Sequence, residues 1–313
     1  MRVAFWDNQL GERGTTANTF HYAFYNQTIL GNRSFIFYDK GNPNNRQPII
    51  ENFKQHFVVH ETDNFKEVDD YLRKYGITHI YITKYGTKDH CLSKIAKNLI
   101  HCVFSCSEPH GDVYSAISPF LDGYQSVYPT IPYIVVLPDN DRHMRQDLNI
   151  PADAVVFGGY GGHDRFSIPF AQQVVYNVAF NNPNIYFLFA NFDRFCPELP
   201  NIIHLPTIYD PSYKTKFINT TDAMLWARHD GETFGLAIAE FSIKNRPIIA
   251  MKIGYQCHVH LLGDQAFWYN DADSLQNILL GFRPEVERTK DWNAFEKFTP
   301  EKVMRAFEAY YLR

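Results

Sequence analysis

The stretch that decides the fold is DAMLWARHDGETFGLAIAEFSIKNRPIIA, residues 222–250. DAMLWAR reads as a short apolar strand, ARHDGET as the loop after it, FGLAIAEFSIK as a helix and RPIIAM as the next strand. A strand, a loop, a helix and a second apolar strand make one unit of a parallel sheet. In open sheets of this kind ligands sit beyond the carboxyl ends of the strands, at such loop–helix junctions. Two carboxylates mark the junction here, Glu232 in the loop and Glu240 on the helix. Helical rise puts eight residues at roughly 12 Å, about the reach from a transferred group across a diphosphate to a ribose. A carboxylate accepts both hydroxyls of a ribose diol, and a helix N-terminus suits a phosphate. The spacing fits a nucleotide sugar with Glu232 at the sugar and the amides of Phe234, Gly235 and Leu236 at the diphosphate. Glu240 would then lie at the ribose. It equally fits a buried helix with one Glu favoured by the helix dipole and a second on its wetter face.

Alternation extends in both directions. Toward the N-terminus, RVAFWDN, SFIFYD, HFVVHE, THIYITKYG and LIHCVFSC read as strands one to five. Helices are expected over about 17–30, over 63–76 with Gly76 as its C-cap, and over 87–98; residues 41–48 read as a turn-rich loop. The proline-rich segment 125–152 breaks the pattern. Strands then recur as AVVFGGYGG, NIYFLFAN, NIIHLP, DAMLWAR, RPIIAM and QAFWYN, with helices near 168–181, 211–219 and over SLQNILLGF. The fold class predicted is α/β, with two Rossmann-like domains, residues 1–131 and 132–298. The last helix, 299–313, has an apolar stripe suited to crossing back onto the first domain or to a dimer contact.

The chain has 313 residues, 20% of them charged, and a net charge of -4, which argues against a coat for nucleic acid or an anionic membrane. There is no apolar run of transmembrane length and no secretory-type apolar core at the N-terminus. The five cysteines are odd in number and scattered, without a CxxC pair. A reduced, cytoplasmic setting is expected. The sequence holds no G-x-S-x-G elbow and no phosphate-binding P-loop.

GETFGLAIAEFSIKNRPIIA resembles the E-x7-E donor motif of the retaining GT-B glycosyltransferases, in particular glycosyltransferase family 4. The order around it agrees, and the half from about residue 132 to 280 carries most of the resemblance. It implies two sheets facing across a cleft and transfer of a sugar from a nucleoside diphosphate sugar to a glycan or other hydroxyl acceptor. It also implies retention of anomeric configuration without an obligatory metal or other cofactor. Residue by residue, it implies Glu232 and His110 at the sugar, with His101 as the rival histidine and Asp112 as an acceptor contact. Gly14, Thr15, Arg165, Thr233, Phe234, Gly235, Leu236 and Glu240 would hold the donor, with the base near Asn191 and residues 204–206. The family's arginine and lysine pair is incomplete: Arg165 stands as the cation between Arg145 and Arg194, so Arg13, Arg228 or Lys252 must supply the second charge.

Two D-x-D pairs (Asp139 with Asp141, Asp271 with Asp273) and Cys257, His258 and His260 are the metal-like patterns. The first read better as polar loops, with Asp273 capping a helix, and the last lacks further ligands. No metal, no nucleic-acid partner and no transmembrane segment are expected, and the state is monomer or homodimer. A nucleotide-sugar epimerase and a non-catalytic nucleotide-sugar-binding module remain the alternatives.

Overall fold

The computed structural model describes residues 1–121 and 127–313, so residues 125 and 126 of the proline-rich connector lie outside it. The chain divides into two compact units, residues 1–134 with 298–313, and residues 135–297.

In the first unit the elements run β1 (Arg2–Asp7), α1 (Gly14–Thr28), β2 (Arg33–Asp39), α2 (Gln47–His56) and β3 (Val58–Thr62). They continue as α3 (Val68–Tyr75), β4 (His79–Lys84), β5 (Lys97–Cys102) and β6 (Val113–Ala116). All pairings are parallel, in the order β3-β2-β1-β4-β5-β6. The central strands are buried almost throughout, which is why they read as unbroken apolar runs rather than alternations. Gly76 ends α3 in the left-handed conformation, φ 61° and ψ 41°.

Three expectations for this unit are corrected. Residues 87–98 form no helix. Their polar side chains capture the backbone instead: Asp89 accepts from the Cys91 N–H at 2.8 Å, and Asn98 from the Ser93 N–H at 2.7 Å. Local bonds of that kind compete with helical ones. Gln47–His56 is a helix where the sequence suggested a loop running into a strand, because Pro48 sits in its first turn, where no amide hydrogen is needed. Val113–Ala116 is a sixth strand, hidden within a segment read as loop.

The C-terminal segment completes the first unit. Helix α10 (Pro300–Phe307), which follows the helices of the second unit in the chain, runs into a π-helical turn over Glu308–Leu312. Phe307 packs 4.9 Å from the Tyr22 ring and 5.8 Å from Tyr81, and the Tyr310 hydroxyl donates to the Tyr114 carbonyl at 2.9 Å.

The second unit runs β7 (Val155–Tyr160), α4 (Pro169–Asn181), β8 (Ile185–Ala190), β9 (Ile202–Leu205), α5 (Pro211–Thr220) and β10 (Ala223–Leu225). After these come β11 (Gly231–Glu232), α6 (Leu236–Ser242), β12 (Ile248–Met251), β13 (Tyr255–Gln256), α7 (Cys257–Leu262), β14 (Ala266–Tyr269), α8 (Ala272–Gly281) and α9 (Pro284–Glu287). Its main sheet is parallel, ordered β14-β12-β10-β7-β8-β9, while β11 and β13 form a separate two-stranded ladder. The direction of winding reverses between β7 and β10, so the loops after these two strands leave the sheet side by side. On one face Phe157, Phe187, Val175, Leu275 and Leu279 form the core beneath α4 and α8. Elsewhere Phe217 of α5 and Phe241 of α6 meet around Tyr160, at ring separations of 6.0 and 5.7 Å. Asp222 is buried and binds Arg145 at 2.8 Å, Arg288 at 2.6 Å and the Val156 N–H at 2.9 Å, tying the start of β10 to β7.

Candidate functional site

The paired loops after β7 and β10 build the site in the second unit. The loop after β7 carries Arg165, whose Nη1 donates to Asp230 Oδ2 at 2.9 Å. The same carboxylate oxygen lies 3.6 Å from Arg228 Nη2. Arg228 Nη1 in turn donates to Glu232 Oε2 at 3.1 Å, and the Trp226 indole N–H donates to Glu232 Oε1 at 3.0 Å. Asp230 thus joins the two arginines, and Glu232 is held at both oxygens. Arg165 is part-exposed at 41%, whereas Arg228 is 18% exposed with its Nε buried and unpartnered. Lys252, the other cation considered for this unit, instead lies over the Trp268 ring, 5.0 Å from its centroid.

Backbone geometry fixes Glu232. Gly231 has φ +71°, and a Cβ there would meet the Ile253 and Tyr255 carbonyl oxygens at 2.4 and 2.3 Å. Only glycine lets β11 lie so close to β13. Gly235, at φ +88°, turns the chain into α6, and Phe234 is buried against Phe295. Thr233 and Leu236 flank that turn and are half-buried. His258 is buried beneath the site, 4.6 Å from the Trp226 ring, and burial lowers its pKa.

Glu240 lies within α6 and is 2% exposed. Lys214 of α5 donates to both its oxygens, at 3.0 and 3.2 Å. Burial pushes the Glu240 carboxyl well up and the Lys214 ammonium down to about 8. Glu240 is therefore not on a wetter helix face. The sequence reading missed Lys214, although a signal exists: it lies at i of the i, i+3, i+4 stripe with Phe217 and Ile218, a lysine on an apolar face.

The base region expected near Asn191 is ordered by its own contacts. The Asn191 side chain donates to the Gly161 carbonyl and accepts from Thr207 Oγ1 at 2.7 Å. His204 packs 5.6 Å from Phe189 and 5.4 Å from Phe195.

In the first unit, Gly14 and Thr15 open α1 just after the carboxyl end of β1, and the Thr15 hydroxyl is buried without a partner. Arg13 beside them is engaged by Asp7 and Asn8. Asp7 itself is buried, which raises its pKa against the lowering effect of Arg13, and it accepts from Thr16 Oγ1 at 3.0 Å. His110 does not join this group. It leads into the amino end of β6, whereas Gly14 and Thr15 follow a carboxyl end. Its Nδ1 donates to the Glu108 carbonyl at 2.6 Å and its Nε2 is buried and unpartnered. Asp112 is bound to the Asn98 backbone N–H at 2.7 Å, so its carboxylate holds β5 to the start of β6. His101, the rival histidine, is fully buried and bonded to the Tyr81 hydroxyl at 2.6 Å.

The metal-like patterns separate. Asp271, not Asp273, caps α8, accepting from the Ser274 N–H at 2.8 Å. Among the described residues no group of three or more His, Cys, Asp and Glu is placed to hold a metal ion, and no helix is long and apolar enough to cross a membrane.

No protein-family model matches the sequence, and no curated protein matches it. Solved structures do match along the whole chain. A glycosyltransferase from Rickettsia africae is 15% identical with a TM-score of 0.67, covering 99% of this chain and 97% of its own. HepE from Anabaena, solved in complex with UDP-glucose, is 13% identical with a TM-score of 0.67, covering 99% and 100%. Sucrose-phosphate synthase from Thermosynechococcus elongatus is 16% identical with a TM-score of 0.62, covering 100% and 96%. Two parallel sheets with Rossmann-like winding, matched over full length by these proteins, define an α/β chain of the GT-B fold class.

Proposed function

We propose that the protein is a glycosyltransferase that moves a sugar from a nucleoside diphosphate sugar to a hydroxyl acceptor, with a donor site of the family 4 type. The observation that carries this reading is the switch-point cluster: Arg165 and Arg228 share Asp230, immediately before a clamped Glu232. Two guanidinium groups on one acidic turn form a seat for a diphosphate, which would displace Asp230 from both. Arg228 is thereby the second cation that the sequence pattern lacked.

In this reading Glu232, fixed by Trp226 and Arg228, orients the transferred sugar. Arg165, Arg228 and the amides of Phe234, Gly235 and Leu236 meet the charge that grows on the leaving diphosphate. That donor set supplies the countercharge without a metal ion. Glu240 accepts from the ribose hydroxyls. Retention follows from the family resemblance, with the leaving phosphate oxygen taking the acceptor proton. His110 is left out, because it leads into the amino end of β6.

Transfer from a panel of nucleoside diphosphate sugars tests the proposal. Glu232→Ala and Glu240→Ala are each expected to abolish transfer while keeping a cooperative thermal transition. Full turnover in both variants would overturn the assignment. Isomerised donor in the absence of acceptor would identify an epimerase instead.

A further inference from the structure

One feature beside the proposed donor contacts has no role yet, the half-buried lysine against Glu240. Lys214 Nζ reaches both carboxylate oxygens, at 3.0 and 3.2 Å, with the side chains 20% and 3% exposed. Tyr160, at the carboxyl end of β7, lies beneath the ammonium, its ring centroid 5.4 Å from Nζ, and its phenol oxygen is buried and unpartnered. Phe217 and Phe241 pack against Tyr160 and fix α5 to α6, which holds the backbone of Lys214 within side-chain reach of Glu240. A carboxylate this buried needs a countercharge to stay ionised. As a neutral acid it would present one acceptor oxygen and one hydroxyl, a poor match for two donating hydroxyls. With one ammonium N–H on each oxygen, a further lone pair on each remains for a vicinal diol.

We propose that Lys214 is a positioning residue which charge-balances and orients Glu240 for the two ribose hydroxyls, and so sets discrimination between ribonucleotides and 2′-deoxyribonucleotides. This rests on the reading of Glu240 as the ribose acceptor. The ammonium takes no part in the transfer step and acts only through Glu240.

The test is calorimetric titration with ribonucleoside diphosphates and their 2′-deoxy counterparts, measured on wild type, Lys214→Met, Lys214→Gln, Lys214→Arg and Glu240→Gln. Wild type is expected to favour the ribonucleotide at least about tenfold, the value of one good hydrogen bond. Glu240→Gln, Lys214→Met and Lys214→Gln are expected to reduce that ratio to about threefold or less. Lys214→Arg, which keeps the charge, is expected to retain most of it. A purely structural lysine would lower the melting temperature and leave the ratio unchanged. Loss of discrimination in Glu240→Gln with the full ratio in Lys214→Met or Lys214→Gln would overturn the role of Lys214 and leave the donor site standing. Absence of any nucleotide binding by wild type would overturn the donor reading and this inference together.

Discussion

Substituting Gly235 by alanine perturbs the site through the backbone alone. The residue holds φ +88° and ψ 60° as the chain enters α6, where an L side chain is strained by about 1–2 kcal/mol. The new Cβ would stand 3.3 Å from both Cβ and Cγ of Glu232, closer than ordinary contact, so the Glu232 side chain must give by a few tenths of an ångström. Its 3.0 and 3.1 Å bonds to Trp226 and Arg228 are what that shift lengthens. A stability loss of that size lowers the melting temperature by roughly 2–8 °C in a unit of this length. Misplacement of a positioning group costs far more in rate than in stability, so kcat/KM is expected to fall at least about tenfold, worth about 1.4 kcal/mol. Steady-state transfer kinetics and a thermal melt on the same sample measure both. Gly76→Ala is the control: it has comparable positive φ, and its Cβ would meet only the tip of Arg2 at 3.4 Å. Gly76→Ala should lose stability and keep its rate. Gly235→Ala with kcat/KM within twofold of wild type would refute the link between this turn and Glu232.

Arg228→Met removes both the clamp on Glu232 and one of the proposed phosphate cations; donor affinity and turnover should fall together, each by at least about tenfold in steady-state kinetics. His110→Ala should leave kcat and KM within about twofold, since the side chain bonds the Glu108 carbonyl and leads into the amino end of β6; a hundredfold loss would restore it to the site. His101 is buried neutral, its pKa pushed down to about 3 by burial. The unfolded chain takes up a proton below about 6.5 while the native one does not, so stability is full above pH 6.5 and is lost as pH falls toward 3. At pH 4.5 the loss reaches about 3 kcal/mol, and urea unfolding should show a smaller acid loss in His101→Gln than in wild type.

The sheets were legible because parallel strands buried on both faces have to be apolar throughout, as in residues 34–39 and 185–190. Residues 87–98 misled because their helical pattern of apolar residues is outweighed by Asp89, Ser93 and Asn98, whose bonding to the backbone depends on neighbours distant in sequence, such as Asp69. Strand β6 was hidden because an edge strand of four residues carries too little pattern to separate it from a loop. At the site, the spacing of Glu232 and Glu240 could be read directly, but their partners could not. Arg165 and Asp230 are 65 positions apart and meet only because the sheet reverses its winding between β7 and β10. Lys214 reaches Glu240 across 26 positions through the packing of α5 on α6. His110 carried the right chemistry in a loop of the right rank, yet the loop returns along the sheet to start β6 rather than opening at the carboxyl ends of the strands.

The most direct measurement is a thermal-shift titration with UDP-, GDP-, ADP-, CMP- and dTDP-linked sugars, run on wild type and on Glu240→Ala. Wild type should be saturably stabilised by the sugars of one nucleotide, following the mass-action law, and that stabilisation should be lost in the variant. No shift with any of these ligands, or an equal shift in Glu240→Ala, would contradict the proposed donor site.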